Sequence, residues 1–451
     1  MGLFSRTLTL PETLAATSLT LTEPPLPRRV ILPLTQGIGE PARVCVAVGE
    51  AVKVGQLIGA ADTEGALPLH ATISGKVVAI SEQLHYTGAK LPALIIEGDG
   101  ADSRAESQGE QGEGEVLSAD EMVARIRGAG LILKGLHPLP LAAELSALDE
   151  PTTHLALTGR RVVHRIDTLL IAALDPEPSL GVNRYLAGIH SEDLARGIAA
   201  LKAITGAQET VFVVDRAQPP SPLIAEMLRA DEQEATRVVS VHGRRFPVGL
   251  PIPLIKAALG REVPLPFGRP RDVGVALYDM ETAVSVGRCV RSTIPPVATL
   301  ITVGGGALRQ GGIVSVRIGV EIGALIASLG GFAQSPAKVI LGGPMTGVAQ
   351  YDLTVPITKE ITGLFALRAD EAGRTTGYRQ CINCGLCVKV CPVNLVPGVL
   401  SLYCARDRFA LAERQGLLSC IECGCCDYVC PSRRPMVHFF RHAKHELLEA
   451  G

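Results

Sequence analysis

Tryptophan is absent and aromatic residues amount to only 4% of a 451-residue chain that is nonetheless 47% hydrophobic. That hydrophobic content excludes a disordered chain, and the length calls for two to four domains rather than one core. Charge of one sign is also missing: 43 Lys plus Arg face 45 Asp plus Glu, a net charge of -2. Without a basic excess there is no electrostatic footprint for nucleic acid. No segment approaches the ~20 consecutive apolar residues of a membrane-spanning helix, and the start, MGLFSRTLTLPETLAATSL, lacks the apolar core of a signal peptide. The expectation is a soluble cytoplasmic chain, free or seated on the cytoplasmic face of a membrane protein.

Cysteine is what the chain does have. Eight of its 12 cysteines fall into two copies of one spacing, Cys381-x2-Cys384-x2-Cys387-x3-Cys391-Pro392 and Cys420-x2-Cys423-x2-Cys426-x3-Cys430-Pro431. This is the ligand run of a two-cluster bacterial ferredoxin, in which the fourth cysteine of each run turns away to the other cluster. The spacing therefore predicts Cys381, Cys384, Cys387 and Cys430 on one [4Fe-4S] cluster, and Cys420, Cys423, Cys426 and Cys391 on a second. Zinc knuckles and a disulfide framework are the competing readings, and neither needs the x3-Cys-Pro tail twice. Thiolate ligands in this number fit a reducing compartment. Of the remaining cysteines, Cys45 and Cys289 are scattered, Cys404 reads as a small buried apolar residue and Cys425 as a bystander between ligands.

The pattern along the chain is that of a multidomain α/β plus β protein. Residues 1–97 hold a tail and, from Arg29 to Glu97, short glycine-punctuated strands. The Val48-Gly-Glu-x-Val-x-x-Gly-Gln56 pattern followed by Ile73-Ser-Gly-Lys-Val resembles the barrel-sandwich fold of lipoyl and biotinyl carriers. No lysine lies between Lys53 and Lys76, so docking on a partner is expected rather than covalent carriage. Residues 98–117 read as a linker rich in Gly, Ser, Gln and Glu.

From 118 to 265 a Rossmann-like layered domain is expected: a helix at Ala119 to Arg127, a strand at Thr168 to Ala173, a helix at Ser191 to Thr205 and a strand from Thr210 to Asp215. Residues 266–350, with DVGVALYD, TAVSVGRCV, ATLITVGGGAL and IVSVRIGV as strands and a helix at Glu321 to Leu329, read as a β-grasp-like module. A connector at 351–376 then leads to a ferredoxin-like helical domain at 377–451.

The module order, together with CINCGLCVKVCPVNLVP, LLSCIECGCCDYVCPSRRPMVHFFRHAK, VILGGPMTGVA, HATISGKV and ILPLTQGIGEPA, resembles the C subunit of Rnf-type ion-translocating electron transport complexes over most of the chain. Relatives of that family include a flavin-containing cobalamin reductase of propanediol-utilising organelles and, more distantly, the NADH-binding flavoprotein of complex I. The resemblance implies a peripheral protein on the cytoplasmic face of the inner membrane. Its partners would be membrane subunits and a soluble electron carrier or neighbouring redox subunit.

In the family a middle domain holds FMN and takes hydride from NADH, under a Gly-Gly-Ala-Gly-Phe-Pro loop that lets backbone approach the cofactor closely. Here that stretch reads Gly128-Ala-Gly130-Leu-Ile-Leu-Lys134-Gly135-Leu-His-Pro138. The family's Asn-Gly-Ala-Glu-Cys-Glu-Pro turn is replaced by Ala172-Ala-Leu-Asp175-Pro-Glu177-Pro178, and its Asn-Val-x-Thr stretch by Tyr278-Asp279-Met280-Glu281-Thr282. Asp175 and Glu177 are either remnants of an acidic flavin pocket or a solvated acidic turn. The three losses imply a scaffold that has shed FMN and NADH. The alternative is an FMN-dependent NADH dehydrogenase or cobalamin reductase, and a third reading is an interaction scaffold with structural clusters.

Lesser features complete the reading. Gly342-Gly343-Pro344-Met345 reads as a tight turn near the clusters, and Gly304-Gly305-Gly306 as another turn. The basic tail Arg433, Arg434, His438, Arg441, His442, Lys444, His445 is either a docking site for an acidic partner or a solvated helical face. His70 reads as a hydrogen-bonded turn residue.

Overall fold

In the computed structural model the described residues are 6–11, 19–37, 39–105, 117–149, 165–189, 192–218, 220–230, 235–292, 294–373 and 377–449. The N-terminal module pairs a four-stranded sheet, ordered Arg29–Pro33, Lys90–Gly98, Gly75–Leu84, Ala51–Val52, with a three-stranded one built from Arg43–Val44, Leu57–Ala60 and Leu69–His70. Period-two alternation divides its residues: Val30, Leu32, Leu94 and Ile96 face one core, while Ile31, Ala93 and Ile95 pack on the opposite face. The expected barrel-sandwich is present, but it is not a free-standing lobe. Its core runs on without a break into Ile301, Val303 and Leu364 of the next sheet and into Ile318, Leu325, Val355 and Ile357 of the segments that pack on that sheet. Ile31 N donates to Gly319 O at 2.8 Å, and Thr72 Oγ1 to Ile318 O at 2.7 Å, so the two sheets are joined by backbone as well as side chains.

That second sheet has six strands in the order Leu21–Thr22, Gly312–Arg317, Ala298–Gly304, Gly363–Leu367, Lys338–Leu341, Val348–Gln350, with the helix Ile322–Ser328 against it. The expected connector at 351–376 is thereby corrected: Gly363–Leu367, buried at all five positions, is an interior strand of this sheet. Its GLFAL run is short and wholly apolar, as a strand covered on both faces requires.

Part of the expected linker is corrected as well. Residues 98–105 fold back on the barrel, with Val54 N donating to Ser103 O and Ala105 N to Val54 O, both at 2.9 Å, and with an Arg317–Asp102 ion pair at 2.6 Å. Residues 106–116 of that linker lie outside the described residues.

The Rossmann-like domain is a parallel sheet ordered Thr236–Val241, Glu209–Asp215, Thr168–Ala172, Val275–Asp279. Its strands at Thr168–Ala172 and Glu209–Asp215 and its helices Ala119–Ala129 and Glu192–Thr205 stand where the sequence pattern places them. The boundary at 265 does not hold, because the fourth strand comes from Val275–Asp279 and is followed by the helix Met280–Arg291. TAVSVGRCV is therefore helix, not strand. Asp279 caps it by accepting from Thr282 N at 2.8 Å, worth roughly 1 kcal/mol, and Met280, Ala283, Val284 and Gly287 bury one face at helical spacing. Alternation of apolar and small residues in this run imitates a strand.

The C-terminal domain is helical, as expected: Leu386–Val390, Pro397–Cys404, Phe409–Arg414, Cys425–Val429 and Met436–Glu449 surround a core of Leu400, Cys404, Ala412, Leu417, Met436 and Phe440.

Candidate cluster centre and the altered flavin region

The two cysteine runs adopt one backbone design. Asn383 and Glu422 have φ of 53° and 54°, Gly385 and Gly424 have 73° and 77°, and Asn394 and Arg433 have 61° and 52°. Left-handed residues between the ligands turn the loop inward, and a one-turn helix then begins at Leu386 or Cys425. This directs the sulfurs of each run to one side.

For the second site, Cys391, Cys420, Cys423, Cys425 and Cys426 line one cavity together with Pro397, Val437 and Phe440. The first run thus delivers its fourth cysteine to the second run's triad. Leu395 N donates to Cys391 Sγ at 3.3 Å and Glu422 N to Cys420 Sγ at 3.4 Å, hydrogen bonds of the kind that tune cluster potential. Burial pushes the Cys420 thiol up to about 12 and raises Cys391 and Cys426 as well.

At the first site, a Cβ on Gly398 would lie 3.5 Å from Cys387 Sγ and 3.7 Å from Cys381 Sγ, which places both sulfurs over the start of the Pro397–Cys404 helix. Cys384 is exposed, and Cys381, Cys387 and Cys430 are half-buried. Cys404 is buried in the helical core, and Cys425 is fully buried against Cys423, whose thiol its hydrogen bond holds below the ordinary value.

Several residues at the second site carried no signal in the cysteine spacing. Lys444 Nζ donates to Cys420 O at 2.6 Å and to Glu422 Oε1 at 2.8 Å; Arg441 Nε donates to Glu422 Oε2 at 2.8 Å and its Nη2 to Thr346 O at 3.3 Å. Burial pushes the Glu422 carboxyl up, and the two cations more than offset it, so it stays below its ordinary value. Arg434 is buried and donates to Ser401. Three members of the basic tail are thus spent inside the domain, which neither reading of that tail anticipated. An acid between the first two cysteines of the run, followed by basic residues on an amphipathic helix, was the available clue.

The expected tight turn near the clusters is present, and it joins the domains. The cluster loop packs directly on it, since a Cβ on Gly424 would lie 2.8 Å from Met345 O. From the other side Glu177 accepts from Met345 N and Thr346 N, both at 2.9 Å, and from Thr346 Oγ1. Gly343 has to be glycine here because its Cβ would sit 2.2 Å from the Glu177 carboxyl carbon.

Asp175 is likewise internal, accepting from Asn183 N at 2.9 Å and Arg184 Nε at 3.1 Å. Both carboxyls are raised by burial, so neither forms the solvated acidic turn considered from sequence. His70 is corrected too. It pairs in the Leu69–His70 strand with Nδ1 buried and unpartnered, and burial lowers its pKa to about 3.

The altered flavin loop is folded inward, and its Leu131 lines a cavity of about 250 Å³ together with Ile126, Arg127 and Pro140. Gly128 lies in the last turn of the Ala119–Ala129 helix and Gly130 caps it at φ 65°. A side chain at Gly130 would meet Lys359 Nζ at 2.7 Å. Leu131 is buried in the Rossmann core, and Ile132–Leu133 forms a small hairpin with Leu139–Pro140 around the exposed Gly135. Lys134 turns inward, its Nζ donating to Glu281 Oε1 at 2.7 Å, Thr299 Oγ1 at 2.8 Å and Leu300 O at 3.3 Å. Lys359 Nζ is committed to Pro68 O and Gly130 O at 3.1 and 3.0 Å, and burial lowers its pKa to about 8. Between them lies a cavity of about 50 Å³, against the several hundred that cofactor pockets occupy. Gly128, Gly135, Asp175 and Glu177 do not line it.

Three protein-family models match along the chain. Residues 4–101 match the RnfC barrel sandwich hybrid domain, 151–288 the Nuo51 FMN-binding domain and 378–396 a 4Fe-4S binding domain. The C subunit of the proton-translocating ferredoxin:NAD(+) oxidoreductase complex of Clostridium ljungdahlii is 33% identical over 95% of this chain and 90% of its own length. Its Na(+)-translocating counterpart from Acetobacterium woodii is 31% identical over 94% and 91%. The C subunit of the ion-translocating oxidoreductase complex of Pseudomonas aeruginosa is 34% identical over 96% of this chain and 54% of the longer relative. With the RnfC barrel sandwich at its start and this identity over nearly its whole length, the chain belongs to the RnfC family, the C subunits of Rnf complexes.

Proposed function

We propose that this chain is the electron-transfer subunit of a membrane-associated Rnf-type ion-translocating oxidoreductase complex, held peripherally at the cytoplasmic face, and that it works without a flavin or nicotinamide site of its own. Its relatives are named as C subunits of such complexes. Among the described residues no helix is long and apolar enough to cross a membrane, so attachment would run through partner subunits.

Two [4Fe-4S] clusters, when bound, supply one-electron chemistry. The residues that would hold them are Cys381, Cys384, Cys387 and Cys430 for one, and Cys420, Cys423, Cys426 and Cys391 for the other. The observation that supports this reading is the presence of Cys391 among the cysteines of the second run, which makes the second site dependent on the first run. The remaining residues set the surroundings: Lys444 and Arg441 fix Glu422 beside Cys420, and the Met345 turn fixes the loop against the rest of the protein.

The match to a flavin-binding domain favours the dehydrogenase alternative at the level of fold. Against it we set the loop's own residues, since Lys134 is paired internally with Glu281 where the family's loop offers glycine backbone. Anaerobic purification should therefore give ~8 iron atoms per chain, little FMN and no unaided NADH oxidation. Flavin released in near one-to-one ratio on denaturation, with rapid bleaching of the clusters by NADH, would replace this reading by the dehydrogenase one.

A further inference from the structure

A segment from the far end of the chain reaches the second cysteine run. Leu8-Thr9-Leu10 alternates apolar and polar residues, as a strand with one covered face does. Leu8–Thr9 pairs antiparallel with Arg245–Phe246, which sets Leu8 opposite Phe246. Thr9 is exposed, while Leu8 and Leu10 pack on the apolar group formed by Phe246, Leu250, Cys423 and Cys425. Just ahead of the strand, Arg6 Nη1 donates to Cys391 O at 3.2 Å, across 385 positions of sequence.

Cys391 is the first-run cysteine that lines the second run's cavity, so Arg6 grips the one member of that set that arrives from another run. Cys391, Cys423 and Cys426 are buried, and a charge beside them is weakly screened. Burial raises the Cys391 thiol and the Arg6 charge opposes that rise, so the guanidinium is felt at the sulfur as well as at the carbonyl. A cluster held by four thiolates is already negative, and reduction adds one more negative charge. A nearby cation therefore favours the reduced form and raises the potential. Apolar cover favours the less charged oxidised form and lowers it.

Resting on the reading that Cys391, Cys420, Cys423 and Cys426 hold a [4Fe-4S] cluster, we propose that the strap Arg6–Leu10 belongs to that cluster's site. Arg6 positions the Cys391 backbone and biases the cluster toward its reduced form, while Leu8 and Leu10 keep water away from it. The two effects have opposite signs, and the strap sets the potential of the second cluster by their balance. Arg6 is a positioning residue and not a ligand.

The test is a redox titration of the anaerobically purified full chain with dithionite, followed by low-temperature EPR, with iron measured on every sample. Cys391→Ser identifies which of the two one-electron waves belongs to the second site. In Arg6→Gln that wave should move to lower potential by about a tenfold fall in the reduction constant, ~59 mV for one electron. The other wave should stay in place, and ~8 iron atoms should be kept. Arg6→Lys, which keeps the charge, should return most of the shift. Leu8→Ala/Leu10→Ala should move the same wave upward and speed loss of its iron to a chelator at least about threefold. An unmoved wave in Arg6→Gln overturns the proposal, as do equal shifts in Arg6→Gln and Arg6→Lys, or equal shifts of both waves. Should Arg6→Gln lose iron, the leucine pair is read in its place, and a wave that does not rise there overturns the proposal. A single wave with ~4 iron atoms in the unaltered chain would instead remove the second cluster, and this proposal with it.

Discussion

The two copies of the cysteine run share spacing and left-handed turns, yet one is sealed into the protein and the other is bare. Position by position, Asn383 matches Glu422, Leu386 matches Cys425 and Lys389 matches Tyr428. In the second copy the acid at 422 binds Lys444 and Arg441 across the domain, and a smaller thiol replaces leucine where Phe246 and Leu250 close in. In the first copy the same positions carry a neutral amide and an exposed aliphatic group. A duplicated ligand run therefore supplies two equal coordination frames, and the few residues between the ligands give each frame its own surroundings.

The comparison can be broken most severely at Cys391, the first-run cysteine that lines the second run's cavity. Cys391→Ser should abolish the second site and leave the first, so iron falls from ~8 to ~4 atoms per chain. The surviving signal should be that of a cluster on Cys381, Cys384, Cys387 and Cys430. Loss of the first site instead would show that each run ligates its own cluster. Iron analysis and low-temperature EPR decide between them.

A smaller effect is expected at the clamp that exists only for the second copy. Glu177→Ala removes the acceptor of the part-buried Met345 N, Thr346 N and Thr346 Oγ1, at a cost of up to about 1–3 kcal/mol for each group that neither water nor protein satisfies. Thermal unfolding should begin at a lower temperature, and protease should cut more readily between the six-stranded sheet and the cluster domain. Lys389→Ala, on the exposed first copy, should stay within about 0.5 kcal/mol of the parent. Equal effects of the two changes would remove the distinction between a clamped and an open copy.

The smallest effect sharpens the comparison rather than breaking it. Cys425→Ser should keep ~8 iron atoms, as expected if Cys425 only packs and hydrogen-bonds beside Cys423. The cost should be about 1 kcal/mol, for a hydroxyl placed among Phe246, Leu250 and Cys423. Iron content with denaturant unfolding measures both, and the loss of a cluster would make Cys425 a ligand.

Sequence by itself determined whatever depends on local spacing. The ligand runs, the barrel-sandwich strands, the early strands and helices of the Rossmann-like domain and the loss of the glycine loop were all legible, because period, turn chemistry and ligand spacing are properties of a few consecutive residues. Domain edges were not. Gly363–Leu367 and Val275–Asp279 became interior and edge strands through pairing with segments far away in the chain, and Met280–Arg291 needed its Asp279 cap and buried face to be told from a strand. The fates of the acidic and basic candidates were hidden for the same reason. Glu177 found the Met345 turn 168 positions away, Lys134 found Glu281 at 147, and Lys444 found Glu422 across the helical domain. Whether a charged side chain meets water, a cofactor or an internal partner depends on what burial brings against it, since desolvation makes an unpaired charge too costly to keep. That choice is made by tertiary packing alone.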